Sequence, residues 1–170
     1  YKMKQIHNIA ALYNKNAKIL ILGSFPSRMS REIGFFYGYP KNRFWKVSAG
    51  VFDCNTPSSI AEKKEFILSH NIALWDVLAS CDIKGSADSS IKKAEPNDIS
   101  PILDDCDIKE IFVNGKTAQK YYERYIEPKT GRKAIYLPST SPANASWSLE
   151  RLIDAWRIIT DVIYENAVNP

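Results

Sequence analysis

Two asparagines, a hydroxyl-rich turn and a run of aromatics interleaved with cations are the parts of this sequence best equipped for chemistry. Asn42 stands in Tyr39-Pro40-Lys41-Asn42-Arg43-Phe44-Trp45 and Asn114 in Phe112-Val113-Asn114-Gly115, each close to a proline or glycine that breaks regular structure. A carboxamide offers one acceptor and two donors, so it can hold a water molecule or pair with the edge of a lactam ring. Phe35, Phe36, Tyr37, Tyr39, Phe44 and Trp45 share their segment with Arg31, Lys41 and Arg43. Aromatic faces beside cations suit a flat, partly anionic partner such as a nucleotide. Ser139-Thr140-Ser141, placed before a helix, suits a phosphate.

These residues need elements that bring them together. Ile19 to Leu22 reads as a buried strand ending in Gly23-Ser24-Phe25-Pro26-Ser27. Ile72 to Leu78, Lys109 to Gly115 and Arg132 to Leu137 read as three more strands. Helical spacing is expected over Lys2 to Asn14, Arg43 to Phe52, Ile60 to Ser69 and Lys116 to Tyr125, with a short helix across Ile99, Ile102 and Leu103 capped by Asn97 or Asp98. Pro57 falls in the expected first turn of the Ile60 helix, and Asn144 or Ser146 is expected to cap a long last helix through Leu149, Leu152, Trp156, Ile159 and Ile163. Ala79 to Asn97 is polar and reads as a long excursion over the sheet.

Alternating strands and helices predict an α/β fold. It is a three-layer α/β/α domain with a central parallel sheet of about four strands, spanning residues 1–170 as one unit. Its strand ends then share one edge, where Gly23, Ser24, Asp76, Asn114 and Ser139 to Ser141 meet. His7 and His70 fall in the expected helical layers, away from that edge, so a histidine base is not expected. Asp76 reads equally as a loop tie and as a substrate ligand.

The formal charge of +4 is compatible with a nucleic-acid partner. Three widely spaced cysteines, Cys54, Cys81 and Cys106, fit a reducing cytoplasm and exclude a C-x-x-C metal site. No apolar run approaches bilayer length, so no membrane role is expected. The expectation is a cytoplasmic monomer without metal or cofactor.

In order and content the edge segments resemble the uracil-DNA glycosylase superfamily. The match runs through GSFPS at 23–27, the aromatic loop, Leu74-Trp75-Asp76, Phe112-Val113-Asn114-Gly115 and Pro138-Ser139-Thr140-Ser141-Pro142. The segments YGYPKNRFW and LPSTSPAN make it most similar to the hypoxanthine-DNA (deoxyinosine) glycosylase branch. The resemblance implies a monofunctional DNA repair glycosylase that excises deaminated bases, hypoxanthine first and also uracil or xanthine. It implies that Asn42 is catalytic and that Asn114 takes part in base recognition. Two features differ from the uracil-excising members. Ser24 to Ser27 replaces their catalytic acidic or amide residue, and Ser139 and Thr140 stand where their last loop carries a histidine. Asp76 occupies the strand end where they carry a uracil-reading asparagine.

The physical expectations follow from the chemistry. A flipped base needs an aromatic face, for which Phe25 and Phe36 are candidates, and donors near Gly23 and Ser24 for charge on the leaving group. Asn42 would hold water below a sugar of oxocarbenium character. Asn114 would pair with the N–H and C=O of hypoxanthine and reject adenine only if its amide is locked against flipping. Ser139, Thr140, Ser141, Lys41, Arg43 and Lys116 would contact the DNA backbone. The competing class is a nucleic-acid-binding domain of the same fold without chemistry. A hydrolase using Ser24 lacks a nucleophile elbow and a placed histidine.

Overall fold

The computed structural model describes residues 3–165. Four parallel strands, β2 (Ile19–Gly23), β3 (Ile72–Asp76), β6 (Glu110–Asn114) and β7 (Ala134–Leu137), form a sheet in the order β3-β2-β6-β7. All five residues of β2 are buried, as expected of a strand covered on both faces, and a short helix, α1 (Arg28–Ile33), follows it. Alternation divides the core. Ile19, Ile21, Leu74 and Phe112 face α2 (Phe44–Val51), α3 (Ile60–Ser69), α7 (Leu149–Trp156) and α8 (Ile158–Ile163). Leu20, Leu22, Ile111 and Val113 face the other layer, with α4 (Ser100–Asp105) and α5 (Lys116–Tyr121). Gly50 lets α2 approach α7, because a Cβ there would stand 2.5 Å from Ile153 Cδ1.

The second layer also holds a three-stranded antiparallel sheet, which differs from the expected pattern in two places. Lys2 to Asn14 is not a helix: β1 (Met3–Ile6) pairs with β4 (Leu78–Ile83), and an extended segment follows it. Lys2 itself lies outside the described residues. The apolar spacing that suggests a helix has another origin, since Ile9 is buried while Leu12 exchanges backbone hydrogen bonds with Leu74. Ala79 to Asn97 is likewise no simple excursion, because β4 pairs antiparallel with β5 (Lys92–Pro96), with register shifts between Leu78 and Ser80 and between Ser80 and Asp82. Neither strand has an apolar run, so pairing with neighbours far along the chain decides their state.

Smaller boundaries shift for local reasons. Ser59 caps α3 by accepting from Glu62 N, so Pro57 precedes the helix. Ser148 caps α7 by accepting from Arg151 N, in place of Asn144 or Ser146, and the last helical stretch is interrupted at Arg157. After α5 the chain makes a π-helical turn (Tyr122–Ile126) and a short helix, α6 (Glu127–Thr130).

The joint between the two sheets matters most for the site. β3 ends at Asp76, Val77 intervenes, and β4 begins at Leu78. β1 runs antiparallel to β4 with Ile6 opposite Ser80, and His7 N then donates to Ala79 O. That register carries His7 to the end of β3. Trp156, fully buried on α7, donates from Nε1 to Pro138 O at 2.9 Å and so anchors the loop that follows β7. Trp156→Phe leaves this carbonyl without its donor and is expected to lower unfolding free energy by about 1–3 kcal/mol. Denaturant titration checks it, with an unchanged slope if only stability changes.

Candidate active site

A cavity of about 720 Å³ opens at the carboxyl ends of the parallel strands. Strand ends meet there because parallel strands all deliver their following loops to one edge. Of the residues singled out in the sequence, Gly23, Ser24, Phe25, Phe36, Asn42, Asn114, Ser139, Thr140 and Ser141 all line it. Lys41, Arg43 and Lys116 do not.

The two asparagines meet through Thr140, which is fully buried. Thr140 N donates to Asn114 Oδ1 at 3.1 Å, which fixes the orientation of that amide. Asn114 Nδ2 consequently faces Thr140 Oγ1 at 3.0 Å and Tyr37 Oη at 3.2 Å and donates to both. Thr140 Oγ1, already an acceptor, passes its own hydrogen to Asn42 Oδ1 at 2.9 Å. Phe44 N donates to the same oxygen at 2.9 Å. Two backbone N–H groups thus set the direction of the whole chain of bonds. Asn42 Oδ1 has both lone pairs occupied, and its Nδ2 donates to no group among the described residues.

This wiring changes what each residue can do. Asn114 is locked against flipping, but both its donors are spent, so it cannot present an N–H and a C=O together to a lactam edge. One lone pair of its Oδ1 stays open. Thr140 is buried inside the relay and has no surface for a phosphate. Arg43 is also committed: its guanidinium donates to the carbonyls of Asn144 and Trp147, and its backbone N donates to Thr140 O. It clasps the 138–148 loop to the start of α2. Lys41 and Lys116 are exposed, and Ser139 and Ser141 are partly exposed on the cavity rim.

Phe25 carries the Arg31 guanidinium 5.3 Å from its ring centroid and meets His7 edge-on at 5.9 Å. Phe36 is buried and meets Phe35 edge-on. Gly23 is required sterically, since a Cβ there would lie 2.5 Å from Asp76 Oδ1 and 3.0 Å from Tyr37 Oη.

Three site residues are not evident from the sequence. Tyr37 stacks on Phe44 at 4.1 Å and reaches the cavity floor with its hydroxyl. Burial and the neighbouring Asp76 charge hold its pKa far above the ordinary phenol value, so it remains a neutral donor. His7, expected in a helical layer, is buried and lies 2.8 Å from Asp76 Oδ2. Asp88 comes from the tip between β4 and β5 and accepts from Ser24 Oγ with both oxygens at 3.2 Å. Although much of Asp88 is exposed, crowding of its carboxylate pushes its pKa upward against the lowering effect of bonds from Ser24 and Thr117.

Among the described residues no group of three or more His, Cys, Asp or Glu side chains is arranged to hold a metal ion, and no helix is long and apolar enough to cross a membrane. Cys54, Cys81 and Cys106 are free thiols.

The sequence profile of the uracil DNA glycosylase superfamily matches residues 10–160. The chain belongs to the uracil DNA glycosylase superfamily. Among relatives, a hypoxanthine DNA glycosylase of Methanosarcina acetivorans is 37% identical over 146 residues, covering 83% of this chain and 89% of that protein. A hypoxanthine DNA glycosylase of Methanosarcina barkeri is 32% identical over 133 residues, covering 77% and 83%. The solution structure of a candidate uracil DNA glycosylase from Methanosarcina acetivorans superposes with a TM-score of 0.76 at 30% identity, covering 93% of this chain and 99% of that one. The superfamily fold and the cavity at its strand ends therefore coincide with the expected architecture.

Thr140→Val keeps the shape and removes the hydroxyl, leaving Asn114 Nδ2 and Asn42 Oδ1 each short of a partner. It is expected to cost about 1–3 kcal/mol of stability, with Thr140→Ser retaining most of it. Equilibrium unfolding of the two variants measures the difference.

Proposed function

We propose that this member of the uracil DNA glycosylase superfamily hydrolyses the N-glycosidic bond of deaminated bases in DNA, hypoxanthine first, and leaves an abasic site. The observation that carries this reading is one cavity holding both carboxamides, with their orientations fixed by backbone N–H groups. The chain's likeness to two proteins named hypoxanthine DNA glycosylase supports hypoxanthine over uracil.

Entry begins with eversion of the nucleotide, which costs a few kcal/mol and less at a mispair such as hypoxanthine opposite thymine. Phe25 or Phe36 supplies the apolar face against which the base rests. Asn42 is the catalytic residue. Its oxygen is occupied, so it holds water through Nδ2, and a water that accepts from Nδ2 keeps a second lone pair for the anomeric carbon. Such a donor does not abstract the proton. This suits late attack on a sugar that has already acquired oxocarbenium character.

Asn114 serves recognition at one remove. By donating into Tyr37 Oη it turns the hydroxyl hydrogen away from itself, so that the phenol donates to a base carbonyl. The same donor stabilises negative charge that gathers on the departing base. Lys41, Lys116, Ser139 and Ser141 contact the DNA backbone around the mouth. Arg43 and Thr140 shape that surface without touching phosphate.

The deciding experiment incubates the protein with labelled duplexes carrying one inosine, uracil or xanthine, followed by alkali cleavage. Strand scission at inosine is expected, and Asn42→Ala is expected to abolish it while DNA binding persists. Near-normal excision by that variant would remove Asn42 from the mechanism. A non-catalytic domain of the same fold would bind DNA and give no scission. Lys41→Ala and Lys116→Ala should each weaken binding at all sequences alike and lower the salt slope by about 1, as read from fluorescence anisotropy across a salt series.

A further inference from the structure

We infer that Asp76, oriented by His7, determines base specificity by accepting the ring N–H of a lactam base and repelling a ring lone pair at the same place. The inference rests on the glycosylase reading above and assigns this site the class of bases that carry N–H beside C=O.

The imidazole defines the arrangement. Ile9 N donates to His7 Nδ1 at 3.0 Å, so that nitrogen is the acceptor and the hydrogen resides on Nε2. Nε2 lies 2.8 Å from Asp76 Oδ2 and donates to it. A second ring hydrogen, on Nδ1, would oppose the Ile9 N–H. His7 is rigid in turn, with its ring against Phe25 and its own backbone N bonded to Ala79 O.

With Oδ2 committed, Oδ1 is the working atom. Asp76 is only 4% exposed and lines the cavity, and its Oδ1 accepts from no group among the described residues. Gly23 leaves space for it: Oδ1 and the Tyr37 hydroxyl both lie close to the point where a Cβ would stand, at 2.5 and 3.0 Å. An acceptor and a donor therefore sit side by side on the floor. Hypoxanthine presents N1–H beside O6, the complementary pair. Adenine presents an N1 lone pair beside an amine, and the lone pair would face a carboxylate in a site with little water to screen it. A site built to bond a particular N–H discriminates strongly against the analogue without it.

The positioning role of His7 gives the test its sign. In Asp76→Asn, His7 Nε2 still needs an acceptor, so the amide oxygen takes that place and the NH₂ turns into the cavity. Acceptor becomes donor with no change in shape. Single-turnover excision is measured on duplexes with one 2′-deoxyinosine or one 2′-deoxynebularine, whose unsubstituted purine offers a lone pair at N1. Asp76→Asn is expected to slow inosine excision at least about 10-fold, the loss of a charged hydrogen bond, and to raise nebularine excision. His7→Ala should narrow the inosine preference by freeing the carboxylate, and His7→Gln, which retains a donor, should restore part of it.

Thermal melts confirm that each variant is folded. If Asp76→Asn does not fold, the two His7 variants carry the same comparison. Folded variants that leave the inosine-to-nebularine ratio unchanged, whether or not both rates fall together, overturn this inference and leave the glycosylase reading intact. A wild-type protein that releases no deaminated base overturns both.

Discussion

The Thr140 N–H bond to Asn114 Oδ1 is the interaction from which the polar side of the cavity takes its order. An isolated carboxamide can rotate and offer either end, so an asparagine in a pocket carries little information by itself. A backbone N–H cannot rotate. Once it points at Oδ1, Nδ2 must face Tyr37 and Thr140, the Thr140 hydroxyl must donate onward, and Asn42 must turn its nitrogen to the cavity. The low exposure of Thr140 and Asn114 strengthens each of these bonds and raises the penalty for breaking one.

Rigidity of that kind needs a fixed loop, and the fold supplies it from two directions. Trp156 holds Pro138 from the α7 side, while Arg43 grips the carbonyls of Asn144 and Trp147 from the start of α2. The close α2–α7 approach at Gly50 keeps these two anchors in register. Arg43 thus contributes through geometry, although its place two residues after Lys41 in a cationic loop suggests a phosphate ligand. Its five donors fit converging backbone carbonyls as well as an anion.

The sequence makes the parallel sheet and its edge legible, because buried parallel strands leave continuous apolar runs and the loops after them break sharply at Gly23, Gly115 and Pro138. Asn42 and Asn114 are visible for the same reason. Their hydrogen-bond partners are not, since occupancy of an amide depends on tertiary distances that spacing does not encode. The second sheet is hidden because β1, β4 and β5 are short, lack a continuous apolar run and pair across up to 80 residues of chain. His7 is lost with β1: a four-residue strand decides whether that histidine faces solvent or reaches Asp76. Tyr37 is obscured by its aromatic neighbours Phe35, Phe36, Tyr39, Phe44 and Trp45, most of which are core.

A carboxylate on the floor of a site where the leaving base gains negative charge has a cost, because like charges repel most where water is scarce. The layout distributes that cost. Asp76 meets the base at an N–H, where its charge is attractive in the ground state, and Tyr37 stands beside it as a donor whose pKa the same carboxylate raises. Burial first, and that carboxylate second, keep the Tyr37 hydroxyl a neutral donor for the leaving base. Such a pair trades some rate for discrimination. That exchange suits an enzyme that must scan a large excess of undamaged purines, because slow removal of a lesion leaves it for a second encounter, whereas removal of a normal adenine creates new damage.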